Sequence, residues 1–508
     1  MKSQIKRNIV ANYVGQGWSA LAGFLFIPLY VRYLGVEAYG LVALFAALNV
    51  WLSLLDLGMT PALGREMSRS TAGVVEPEAT RDLLRSLEWL ALAAAVLVNA
   101  ITAASARWIA EDWLRTENLD SDVVSQSVLM MGLVGSLRLI EGIYRSSLIG
   151  LQQQVLYNVV NGAAVALRAF GSLAVLAWVS PTVPAFLIWQ GVVSLVSVAS
   201  LAATTYSQLP PASRGGRFSP HAVSQVRKFA GGMALIAILS VALTQIDKLI
   251  LSRLLGLREF ATYSMATAVA GALALLIGPI AITAYPRLCG QAARGDMTEF
   301  AKTFHRAAQA VTVVAGSVGV VLVALAPSIV LLWTHDDALT QAISPIVRWL
   351  AVGTIFNCLV TIPYHAQLAT GWTSLTVRVN TVAVLVIIPT MIAIVPHYGA
   401  IGAAWSWAAL NAAYFLFSAQ LMFRRILIGE RKRWYWSDTI WPLAAGFATV
   451  CILMWLWPNP QPMIERALRL AALTLATITA AALAAPEVRR IVANLLVRRH
   501  PPKQSANR

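Results

Sequence analysis

The sequence predicts an all-α polytopic membrane protein with about 14 transmembrane helices. Three observations lead there. Of the 508 residues, 58% are hydrophobic and only 12% are charged, against a charged share of about 25% in soluble domains. Apolar runs of roughly 20 residues recur from end to end, each long enough to cross the hydrocarbon as a helix. The connections between the runs alternate between strongly basic and short, often acidic. A β-barrel is excluded, because its strands are short and alternate apolar with polar residues.

Taken in order, the spans are expected at 9–32, 39–63, 86–106, 124–149, 155–178, 185–207, 229–254, 260–285, 307–332, 342–368, 378–396, 398–423, 439–457 and 464–485. The first follows a basic start, MKSQIKRNIV. Its apolar stretch is too long for a signal-peptide core and a second span follows at once, so it reads as an uncleaved first span. Pro28, Pro279, Pro363 and Pro389 lie within spans, where each removes an internal hydrogen bond and permits a bend. Cys289, Cys358 and Cys451 lie far apart, which suggests neither a disulfide framework nor a zinc site.

Orientation follows from charge. Lys2, Lys6 and Arg7 share a side with Arg65, Arg69, Arg81 and Arg85, with Arg214, Arg217, Arg227 and Lys228, and with Arg287, Arg294, Lys302, Arg306 and Arg378. Arg424, Arg425, Arg431, Lys432, Arg433 and a basic tail complete the set. Glu111, Asp112, Glu117, Asp120 and Asp122, and then Asp336 and Asp337, fall on the other side. The positive-inside rule places the basic set and both termini in the cytoplasm. The net charge of +16 is therefore mostly a topological signal, and no nucleic-acid partner is expected.

An internal repeat organises the chain. RYLGVEAYGLVAL (Arg32 to Leu44) resembles RLLGLREFATYSM (Arg253 to Met265), with a Leu-Gly turn joining two spans in each. The copies fall between spans one and two and between spans seven and eight. That implies two parallel six-helix bundles, at 1–210 and 229–425, joined by a cytoplasmic linker at 211–228. Two additional helices over 426–485 and a basic cytoplasmic tail over 486–508 follow. Transporters commonly bind substrate between such halves and alternate access by rocking them.

The stretch FIPLYVRYLGVEAYGLVALFAALNVWLSLLDLGMTPALGREMSR resembles the opening of Wzx-type oligosaccharide flippases, and TQIDKLILSRLLG resembles their seventh helix. These belong to the superfamily that also holds lipid II flippases and MATE multidrug transporters. The resemblance spans roughly residues 5–425. It implies a MATE-like V of two six-helix bundles. It also implies export of an undecaprenyl-diphosphate-linked oligosaccharide across the bacterial inner membrane for O-antigen or exopolysaccharide synthesis. The partners so implied are the lipid-linked glycan, the bilayer and, as a candidate, a polysaccharide polymerase. The last two helices depart from the commoner twelve-helix pattern and occur in lipid II flippases, which keeps that cargo open.

Charges inside the spans supply the candidate site. Arg138, Glu141 and Arg145 are spaced i, i+3 and i+7 and so share one helix face. Arg138 precedes the turn at Gln152–Gln154 by as much as Arg168 follows it, which puts both about 22 Å from that turn. A charge at mid-bilayer costs roughly 3 kcal/mol or more, so such residues face a bundle interior or a wet cavity. Two readings coexist: pairing of Arg138, Glu141 and Arg168 that holds the helices together, and a cationic lining that binds a diphosphate. One carboxylate cannot neutralise three guanidinium groups, and guanidinium forks match phosphate oxygens.

Substrate binding is therefore expected from Arg138, Arg145, Arg168 and Lys248, and coupling or gating from Asp56, Glu141 and Asp247. Lys248 could instead snorkel to the surface, as Arg348 is expected to do. Asp56 suits an interface or gate, and His365 a satisfied bundle position. GQGWSA at Gly15 sits inside a membrane helix with no strand before it, so it is no dinucleotide site. No catalytic centre, metal or cofactor is expected. A MATE-type cation antiporter would need an acidic cavity, and a membrane glycosyltransferase would need a larger extramembrane loop.

Overall fold

A computed structural model describes residues 2–71, 73–458 and 462–490. The end of the basic tail, with Arg498, Arg499, Lys503 and Arg508, lies outside the described residues, as do the side chains of Lys2 and Lys6. Among the described residues the chain is helical, its one β-bridge joining Arg115 and Gly256. Thirteen helical elements among the described residues are long and apolar enough to cross a membrane, which makes this a multi-pass membrane protein.

The chain divides into two compact units, Met1–Ser264 and Met265–Arg508. The first holds α1 (Lys2–Leu25), α2 (Ile27–Leu34), α3 (Val36–Leu52), α4 (Met59–Thr71) and α5 (Pro77–Trp108). It continues with α6 (Ser121–Gly150), α7 (Gln154–Trp178), α8 (Val183–Gln208) and α9 (Pro220–Leu254). The first span breaks between α1 and α2, with Pro28 in the first turn of α2, where its missing N–H costs nothing. Leu63, Met67, Leu84, Leu87, Ile143 and Leu148 form the buried core where α4, α5 and α6 meet. The seventh span, α9, packs against α3, α4 and α5.

α10 (Leu257–Arg294) runs on into the second unit, followed by α11 (Met297–Val311), α12 (Ser317–Ala324), α13 (Ala326–Thr334) and α14 (Asp337–Ala369). α15 (Thr373–Ala413), α16 (Ala419–Phe423), α17 (Arg431–Arg433), α18 (Trp441–Leu456) and α19 (Met463–Ala484) complete it. The element counted as one span over Thr373–Phe423 is 51 residues long. It folds back on itself: Gly399 has φ 58° and ψ −146°, a left-handed conformation that glycine tolerates. The Tyr414 hydroxyl then reaches the Asn380 carboxamide at 2.9 Å, across 34 residues of sequence. This element covers the two spans that the sequence separates at 397. The additional helices α18 and α19 pack on α12 through Val321, Leu325, Val450 and Leu473.

Candidate functional site

α6 carries Arg138, Glu141 and Arg145, and α7 brings Arg168 to the same level. Arg168 Nη2 donates to Glu141 Oε1 at 2.5 Å and to Ser194 Oγ on α8 at 3.3 Å. Both partners of that ion pair are largely buried, at 16% and 15% side-chain exposure. Arg138 takes no part in the pairing. Its Nη2 donates to Gln190 Oε1 at 2.9 Å, and its guanidinium lies 4.9 Å from the Phe45 ring centroid. Gln190 is held in turn by a 3.0 Å bond from its Nε2 to Ser172 Oγ. The Nε atoms of Arg138 and Arg168 are buried without a hydrogen-bond partner.

Arg138, Glu141, Arg168 and Gln190 line a cavity of about 450 Å³, together with Arg145, Tyr157 and Asn161, and Ser19 and Tyr30 from the first span. Three guanidinium groups face one carboxylate there. The surplus positive charge, the unused Nε donors and the hydroxyl and amide groups nearby would suit an anion rich in oxygen acceptors. Arg138 and Arg145 also border a second cavity of about 380 Å³ on the α3 and α4 side of α6, which Asp56, Thr60 and Asn49 complete. Asp56 accepts from the Thr60 backbone N–H at 3.0 Å and from the Thr60 hydroxyl at 2.6 Å. It is thereby committed to the first turn of α4.

The structure thus gathers Arg138, Glu141, Arg145, Arg168 and Asp56 around α6. Asp247 and Lys248 stand apart and line neither cavity. Asp247 lies about 10 Å from the Leu254 end of α9, whereas Arg138 lies about 25 Å into α6 from Ser121. Asp247 Oδ2 accepts from the Tyr263 hydroxyl at 3.0 Å, and Lys248 Nζ donates to Gln245 Oε1 at 3.0 Å. Arg348 is exposed. His365 Nδ1 meets the Thr361 carbonyl at 2.7 Å, one turn back on its own helix.

Two clusters escape sequence reasoning. At the Leu-Gly turns the buried Glu37 carboxylate accepts from Glu117 N–H at 2.6 Å and from the Asn118 side chain at 3.1 Å. The same connection bonds the second turn, Leu257 N–H donating to the Arg115 carbonyl at 2.9 Å. Gly40 packs so tightly on Leu257 that a Cβ there would lie 2.6 Å from its carbonyl oxygen. Glu37 lies inside the repeat motif, which is a signal, though a weak one. In the second unit the fully buried His305 and Asp438 bond to each other, with Gln309 donating to Asp438 at 2.8 Å. They are more than a hundred residues apart, and nothing in the sequence joins them.

Residues 5–290, more than half of the chain, match the family described as Polysaccharide biosynthesis protein, and residues 233–392 match the MatE family. A Shigella flexneri protein described as "Putative O-antigen transporter" is 20% identical over 404 residues, covering 80% of this chain and 94% of its own. Among solved structures, the lipid II flippase MurJ in its inward closed conformation is similar, with a TM-score of 0.72 at 13% identity, over 97% of this chain and 99% of that one. An inward-facing MATE-family multidrug transporter of the MOP superfamily gives a TM-score of 0.63 at 12% identity, over 80% and 96%. At those identities the likeness is one of fold. It is the fold of membrane transporters and flippases, and through the sequence match over residues 5–290 the chain belongs to the polysaccharide biosynthesis protein family.

Proposed function

We propose that this protein is a flippase that carries undecaprenyl-diphosphate-linked oligosaccharide units across the bacterial inner membrane by alternating access, for O-antigen or exopolysaccharide synthesis. The observation that carries the reading is the surplus of guanidinium over carboxylate in the cavity beside α6. A membrane protein bears buried charge only at considerable cost, and a diphosphate is the group in such a substrate that three arginines would recognise. In this reading Arg138 and Arg168 hold the diphosphate, Arg145 guides it from the end of α6, and Glu141 fixes Arg168 between cycles. Both termini lie in the cytoplasm, and a polymerase would take up the delivered unit. Lys248 and Asp247, outside the cavity, would act in gating at the opposite end.

Complementation of a flippase-deficient strain tests this. Arg138→Ala and Arg168→Ala should each restore far less surface glycan than the wild type when export is normalised to the amount of protein in the membrane. Normal export by both variants would refute the cationic cavity. The alternative cargo, lipid II, is separated by the same plasmids in a strain depleted of its lipid II flippase, where no rescue is expected.

A further inference from the structure

We propose that the groove between the two arms of the α15 fold-back is a binding site for one anionic phospholipid. This goes beyond the transported cargo and does not depend on it. The groove encloses about 780 Å³ and is almost wholly apolar along its length, with Val382, Val386, Leu410 and Phe417 among its walls. One end differs: Arg378 on the first arm and Arg424 and Arg425 just past the second converge there. Among the described residues none of the three has a carboxylate partner. The carboxylate nearest in sequence to Arg424 and Arg425, Glu430, is engaged by His305 and Arg433. Arg425 is held over the Trp372 ring at 4.8 Å from its centroid, and tryptophan is the residue that marks the headgroup level of a membrane. The groove therefore has the polarity of a single lipid, an anionic head at the arginines and chains along the apolar walls.

Any membrane protein is apolar toward lipid, so apolarity alone would say nothing. Concavity, three unpaired guanidinium groups at one end, and length make the case. Along the first arm the groove runs from Arg378 to Val386, about 12 Å, and along the second from Leu421 to Leu410, about 16 Å. One leaflet of hydrocarbon is about 15 Å deep, half of a core of about 30 Å. The groove thus matches the chains of a phospholipid, while a polyprenyl carrier, several times longer, would overrun it. Basic pockets between membrane helices recognise anionic headgroups by the same chemistry.

Native mass spectrometry of the full-length protein, purified in mild detergent with phosphatidylglycerol and phosphatidylcholine, reads the site. The wild type should retain one phosphatidylglycerol. The Arg378→Gln/Arg424→Gln/Arg425→Gln variant should retain it at least tenfold less, with phosphatidylcholine low and equal in both. Val386→Trp, which fills the groove and keeps every arginine, should also lose it; size-exclusion elution and helical circular dichroism verify that both variants fold. Millimolar inorganic phosphate should not displace the lipid. Retention unchanged in the two variants would overturn the proposal, and so would equal binding of phosphatidylcholine. Displacement by inorganic phosphate would reduce the site to one for a free anion. Arginine-dependent displacement by undecaprenyl phosphate would reassign it to the carrier lipid.

Discussion

Arg138 and Arg168 stand at matching depth, yet their partners differ in kind. Arg168 is neutralised by Glu141, whereas Arg138 has only a neutral amide and an aromatic face. The two arginines should respond differently to substitution. If Arg138 holds the diphosphate as proposed, its loss would remove a charge-assisted bond worth about 1.5–3 kcal/mol, which corresponds to a loss of export of roughly tenfold to a hundredfold. Arg138→Lys should recover only part of it, because an ammonium lacks the planar fork. Quantified surface glycan in the complemented strain measures both. Arg168→Ala should in addition destabilise the protein, because it leaves the Glu141 carboxylate buried and unpaired. A fully buried pair broken in this way costs about 3–5 kcal/mol, and the residual exposure here should keep the cost below that. Arg168→Met combined with Glu141→Leu should unfold at a higher temperature than Arg168→Ala alone in a thermal-shift assay. The stripe was legible in the sequence because helical periodicity alone puts Arg138, Glu141 and Arg145 on one face. The Gln190 partner was not, since it depends on the register of α8 against α6, which periodicity leaves open.

The connection between α5 and α6 works as a clasp on the two Leu-Gly turns. It receives Glu37 from one turn and Leu257 from the other. Arg258, which occupies in the second copy of the repeat the place of Glu37 in the first, lies 4.0 Å from the Glu117 carboxylate. Those two side chains are 60% and 61% exposed, so the pair adds little. Glu37 is buried and accepts from the Glu117 and Asn118 N–H groups; those two residues are exposed, so water replaces part of what its removal takes away and the cost should stay near the lower end of about 1–3 kcal/mol. Glu37→Ala should therefore loosen the clasp. Spin labels at Val36 and the exposed Arg258, in a variant whose three native cysteines are replaced, should report a longer and broader distance distribution when Glu37 is also alanine. An unchanged distribution would show that packing of Gly40 on Leu257 holds the turns without the carboxylate. The helices themselves were legible from apolar run length, and the Leu-Gly turns from the repeat. The clasp was not, because it joins segments about 80 and about 140 residues apart through backbone N–H groups, which every sequence has. The fold-back was legible for a plain reason: the stretch Thr373–Phe423, 51 residues, would be about 77 Å long as one helix, more than twice the hydrocarbon thickness.

At the scale of the whole molecule, the basic connections predict an orientation that reporter fusions can read. Fusions after Arg214 and after Arg431 should report cytoplasmic, and one near Asp120 periplasmic. An opposite result at Arg431 alone would mean that the α15 fold-back does not cross the membrane twice. Transport as proposed requires that a diphosphate be bound by the arginines beside α6. Isothermal titration of the purified full-length protein with farnesyl diphosphate, a short soluble stand-in for the carrier, tests that claim most directly. Binding should weaken at least tenfold in Arg138→Ala/Arg168→Ala and remain as in the wild type in Arg378→Gln/Arg424→Gln/Arg425→Gln. Equal affinity in the wild type and the Arg138/Arg168 variant would contradict the account.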